Sequence, residues 1–264
     1  MVSRRLMILA AVAVLGSAWF IFFKDRNDFI WIFSVGLLIL MISYVFQFQI
    51  DQLMMRGVPQ RIPRAMDMML SNTAAWYANA DEQVRRLIGD RMQRWIMRKD
   101  FINKNDQDAP EDVKYILAYY ASLLTLQQEE FSFKNIDRIA FYHHPFLSPS
   151  FPDDAHISEL EKEDGTIIIS VPHLLKGHLE KGYYNIGLHV MAEAFAHEYL
   201  KENIQWPEDI WNQLESISNI SRDALEAYIG LPVNDPWPVA VHHQVTYVHP
   251  NIKEVLHFLP HLAH

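Results

Sequence analysis

The chain has 264 residues, no cysteine and a formal charge of −9, and half of its residues are hydrophobic. Without cysteine it forms neither disulfides nor thiolate metal sites, so any metal must be held by His and carboxylates. The first 48 residues hold four basic and two acidic side chains, leaving nineteen basic against thirty acidic in the rest; that balance excludes the basic face of a nucleic-acid binder.

Leu6 to Phe23 and Phe29 to Phe46 are uncharged runs of 18 residues each. As a helix, such a run spans about 27 Å, close to the thickness of a bilayer core. Trp and Tyr lie near the ends, and no small-residue cleavage site follows the first run. The pair predicts a transmembrane helical hairpin over residues 1–48, through which the chain contacts the membrane. The connecting loop, Lys24 to Asp28, is short and net neutral. Arg4 and Arg5 precede the first run, and Arg56, Arg61 and Arg64 follow the second. The positive-inside rule then puts both termini in the cytoplasm, giving a multi-pass inner-membrane protein with a cytoplasmic soluble domain over 49–264.

Gly57-Val58-Pro59 and Ile62-Pro63 form a short stiff linker. From Asp67 to Met97 apolar residues recur at three- and four-residue steps, which predicts helix. Pro110-Glu111-Asp112 opens another helix, running to about Leu126; its aromatics Tyr115, Tyr119 and Tyr120 read as core. Strands are expected at Ile136–Tyr142 and Gly165–Ser170, with the acidic segment Asp153–Asp164 between them as a loop or edge. Val171-Pro172 reads as the end of the second strand. Further helices are expected from Asn185, from about Pro207, and around Ile252–Phe258. The fold class is α+β, mainly helical with a small sheet.

Asn185 to His197 reads NIGLHVMAEAFAH. A metallopeptidase helix needs H-E-x-x-H: two His one turn apart to hold zinc, and a Glu beside the first to take a proton from the bound water. Here His189 stands, Val190 occupies the general-base position, and Glu193 replaces the second His. An alternative register ending at His197 lacks both the first His and the Glu. His197, two turns on from His189, remains a possible substitute ligand.

The order of elements from about Ile50 to Pro260 resembles the Mlc titration factor A (MtfA) family of zinc-dependent peptidases, in a membrane-anchored variant. The resemblance includes the Phe101 segment after a basic helix, Ile139-Ala140-Phe141-Tyr142 leading to Pro145, Ile167-Ile168-Ile169-Ser170, and Asn185-Ile186-Gly187-Leu188-His189. It continues with Tyr228, followed seven residues on by Asp235, then Val239-Ala240-Val241. It implies a zincin-like domain in which His189 is the first metal ligand, Glu193 and Asp235 stand at the second and third ligand positions, and Tyr228 matches an active-site Tyr. Val190 stands where the catalytic Glu belongs.

Residues i and i+4 share a helix face, so His189 and Glu193 can converge. One His with two carboxylates is a harder set than two His with one carboxylate; it disfavours zinc relative to other divalent metals and weakens the site, so that it holds zinc, another divalent metal, or none. Val190 has no proton to move, and losing a general base lowers a rate by ~10²–10⁴. Three readings compete: a pseudo-peptidase acting as a binding or regulatory module for a peptide or protein partner, an active metallopeptidase with a rewired site, and a structural membrane protein. His143-His144 reads as loop; one of His242-His243 could replace a lost ligand; His257, His261 and His264 read as a solvated tail.

Overall fold

The computed structural model describes residues 2–24, 27–47, 50, 59–104, 108–200, 204 and 206–248. Arg56, the Gly57-Val58 part of the linker, the boundary at 48/49, the helix expected at 252–258 and the three C-terminal His lie outside them. The chain divides into two compact units, Met1–Gln60 and Arg61–His264.

In the first unit, helix α1 (Val2–Lys24) leads through a 3-10 turn (Asn27–Phe29) into α2 (Ile30–Val45), and the two helices pack on each other. Gly36 sits at their close approach: a Cβ there would lie 2.9 Å from Val14 Cγ2. The Ser17 hydroxyl donates to the Ala13 carbonyl at 2.7 Å, so this polar group is satisfied within its own helix. Most other side chains are exposed and apolar, including Leu9, Leu15, Trp31 and Met41. Arg5–Lys24, 20 residues with mean hydropathy 2.5, is long and apolar enough to cross a membrane; the second helix is shorter, at 16 residues.

The second unit opens with three helices where the sequence predicts one long helical stretch: α3 (Arg64–Thr73), α4 (Ala75–Asn79) and α5 (Glu82–Ile96). The breaks have local causes. Ala74 is extended, and Asp81, also extended, caps α5 by accepting from the Val84 amide at 2.8 Å. On α5, Ile88, Met92 and Trp95 are buried at three- and four-residue steps, while Arg86 and Arg94 pair with Glu82 and Asp90 one turn back. Strand β1 (Asp100–Asn103) follows, then α6 (Glu111–Leu124), which is buried along nearly its whole length and forms the centre of the core.

The sheet has four strands in the order β1-β2-β4-β3. Strand β2 (Arg138–Tyr142) lies parallel to both β1 and β4 (Thr166–Ser170). Strand β3 (Ser158–Glu161) closes the edge antiparallel to β4, inside the acidic segment. Val171-Pro172 does not simply end β4. It starts α7 (Val171–Leu179), with the proline in the first turn, where its missing N–H costs nothing.

Helix α8 (Ile186–Tyr199) packs on α6, α7 and β3. Two glycines set its position. A Cβ on Gly187 would collide with the Leu174 side chain, and one on Gly177 would lie 2.5 Å from the Tyr184 carbonyl. Among the described residues three short helices follow: α9 (Ile210–Ser218), α10 (Arg222–Ile229) and α11 (Trp237–His243), the last running into a π-helical turn (Gln244–Val248). The mainly helical domain on a small sheet agrees with the class expected from sequence.

Candidate functional site

Helix α8 carries the degenerate motif. Asn185 caps it, its side chain accepting from the Leu188 amide at 3.0 Å. His189, in the first turn, is buried. Its Nδ1 meets the Tyr184 hydroxyl at 2.7 Å, and its Nε2 lies 3.6 Å from Glu193 Oε1. The 3.6 Å separation is an ion-pair distance, too long for a hydrogen bond. Val190 is the next residue on the helix. It is fully buried and belongs to the hydrophobic core.

Behind His189 lies a buried polar network. The Asn185 amide donates to His242 Nε2 at 3.1 Å, so His242 carries its proton on Nδ1, which faces His243 Nδ1 at 3.3 Å. The Tyr184 ring stacks on His242 with centroids 4.1 Å apart. A second branch runs through the Asn185 side chain, which donates to the Tyr120 hydroxyl at 2.5 Å. That hydroxyl faces His178 Nδ1 at 2.6 Å, and His178 Nε2 meets the Thr73 hydroxyl at 2.8 Å. Each ring in this network is neutral. Burial lowers His178 and His243 to about 4, and burial with the neighbouring His243 and His189 rings pushes His242 well below the ordinary range.

In front of α8, toward solvent, Glu193 and Asp235 line one cleft of about 510 Å³. Asp235 is exposed and its Oδ1 accepts from the Trp237 amide at 2.9 Å, fixing the start of α11. The Trp237 indole N–H donates to the Ala192 carbonyl at 2.9 Å and locks α11 against α8. His197, Lys162 and Trp206 also line the cleft.

The sequence-predicted residues therefore separate. His189 and Glu193 are adjacent, and Glu193 and Asp235 share the cleft. Tyr228 lies elsewhere: its ring meets His173 edge-on at 6.1 Å, and its buried hydroxyl has no hydrogen-bond partner among the described residues. Burial, and then Tyr183, raise its pKa. His242 faces Tyr184 and Asn185, not the cleft. His143 and His144 follow β2, where His143 Nε2 meets Asn103 Oδ1 at 3.1 Å and His144 Nδ1 lies 2.7 Å from the Pro145 carbonyl oxygen. Sequence reasoning missed Tyr184, Lys162, Trp206 and Trp237.

A catalytic zinc takes three protein ligands and a water. The residues present offer His189 and Glu193 as an adjacent pair, with one Asp235 oxygen engaged on a backbone amide. Among the described residues no group of three or more His, Asp or Glu is arranged to hold a metal ion. This donor set does not fit a catalytic zinc.

Residues 52–201 match the family model described as glucose-regulated metallo-peptidase M90. The matched stretch contains His189, Val190, Glu193 and His197 and ends before Tyr228 and Asp235. No curated protein and no solved structure matches the chain.

Proposed function

Because the chain belongs to the glucose-regulated metallo-peptidase M90 family, we propose that it is a membrane-anchored member that keeps the family's domain, zincin-like in plan, as a binding or regulatory module and has given up peptide cleavage. The observation that carries this reading is Val190. The position that needs a carboxylate at the reacting water holds a fully buried aliphatic side chain committed to the core. Replacement of the second His by Glu193, beside His189, removes the usual donor set from the same helix turn. What remains open to solvent is a cleft with mixed polar and apolar walls, suited to a peptide or a segment of a partner protein.

The N-terminal helices supply the anchor in this account. Their exposed apolar side chains suit lipid, and Ser17 is satisfied internally, as a polar group in hydrocarbon must be. With Arg5 at the start of the first helix and Arg61 and Arg64 after the second, both termini lie in the cytoplasm, and the partner comes to the inner face of the membrane.

The direct test is a peptidase assay of the full-length chain in detergent micelles, with zinc or manganese supplied and an unfolded protein as substrate. No cleavage above the blank is expected, and none that changes in His189→Ala. The second reading, a peptidase with a rewired site, draws on the nearness of His189 to Glu193. It would show itself as metal-dependent cleavage abolished by His189→Ala.

A further inference from the structure

We propose that the cleft in front of α8 takes a cationic side chain, the lysine or arginine of a peptide with apolar neighbours. This rests on the reading of that cleft as a peptide site. Its charge arrangement carries the inference. Glu193 and Asp235 both line the cleft, and among the described residues neither pairs with a Lys or Arg. The His189 ring lies beside Glu193, buried and placed with Nε2 toward it. Asp235 retains one oxygen free of the Trp237 amide. Among the described lining residues two carboxylates, Glu193 and Asp235, face one ammonium, Lys162, with the His197 ring beside them.

The walls fit the remainder of such a side chain. Trp206, which is only partly buried, bounds the cleft together with Leu200 and Ile204, while Trp237 at its edge is buried in the core. Aromatic and aliphatic walls accept the methylene stem of Lys or Arg, and an indole face attracts the charged head. They also restrict water, which strengthens the field of two carboxylates across a concave space. An acidic side chain in the same place would meet both carboxylates and be repelled.

The test uses the full-length chain in detergent micelles and four pentapeptides, acetylated and amidated at their ends, with Leu and Ala flanking a central Lys, Arg, Gln or Glu. Binding is measured by calorimetry at low and high salt. The Lys and Arg peptides are expected to bind about 10-fold more tightly than the Gln peptide, an advantage that shrinks with salt. In the double variant Glu193→Gln/Asp235→Asn the advantage falls to about 2-fold or less. Both substitutions are close to isosteric, and Asn can still accept from the Trp237 amide; a melting midpoint within a few degrees of the parent confirms the fold. Equal binding of all four peptides, or a Lys preference undiminished in the double variant, overturns the inference and leaves the peptide-cleft reading standing. Failure of every peptide to bind at millimolar concentration overturns both.

Discussion

Thermal melts of the full-length chain are expected to lose stability steeply as the pH falls from about 6.5 to about 4, and His178 is one source of that loss. This ring is buried and neutral between the Tyr120 and Thr73 hydroxyls, and burial lowers its pKa from 6.5 to about 4. The unfolded chain takes up the proton first. Folding is therefore favoured fully above pH 6.5, and that contribution drains away as the pH drops toward the folded pKa. At 1.36 kcal/mol per pKa unit, His178 alone accounts for roughly 3 kcal/mol over this window. His243, also lowered to about 4, and His242, pushed further in the same direction, add to the slope. Glu130, held at about 2 by its hydrogen bonds and Lys134, loses its contribution at lower pH, as the pH falls through its folded value. His178→Gln isolates the effect. The variant is less stable than the parent at pH 7.5, with Tyr120 and Thr73 less well satisfied, but its stability falls less between pH 6.5 and 4. Parallel curves would mean that His178 is not held neutral.

Val190→Glu, which restores the missing carboxylate, is expected to destabilise the domain by about 3 kcal/mol or more and to give no peptidase activity. Val190 is fully buried in the core formed by α8 and its neighbours. A carboxylate there has no partner and either loses its hydration or takes up a proton. Urea denaturation of parent and variant measures the difference. A variant as stable as the parent would mean that residue 190 opens onto a wet site, and would return the peptidase reading to the front.

The helical core was legible from spacing. Apolar steps identify α5, and Pro110 with its acidic followers marks the start of α6, because these signals are local. Asn185 as the start of α8 was legible for the same reason, since its side chain caps the helix it precedes. Three features were not. Val171-Pro172 stops a strand and starts a helix with the same two residues, and only the tertiary path decides between those roles. Strand β3, which the sequence left open as a loop or an edge, is four residues long and acidic, and it is settled as an edge because β4 offers it one. Helices α10 and α11, at eight and seven residues, are too short to display a period, although Gly230 at positive φ marks the end of the first.

The site was legible in part for a related reason. That His189 and Glu193 lie side by side follows from the helix repeat alone. Where Tyr228 and His242 point depends on the tertiary placement of α10 and on how α11 packs against α8. There the spacing from Tyr228 to Asp235 carries no geometry: the Tyr ring turns to His173 and the His242 ring to Tyr184. The cleft itself is assembled from the β3–β4 turn, the end of α8 and the start of α11, segments that no local pattern connects.

Metal content tests the central claim most directly. The full-length chain is passed through gel filtration after exposure to zinc and manganese at micromolar concentration, and its metal is counted by mass spectrometry beside His189→Ala. The account predicts far less than one equivalent, with no difference between the two proteins. About one equivalent in the parent, lost in His189→Ala, would contradict it.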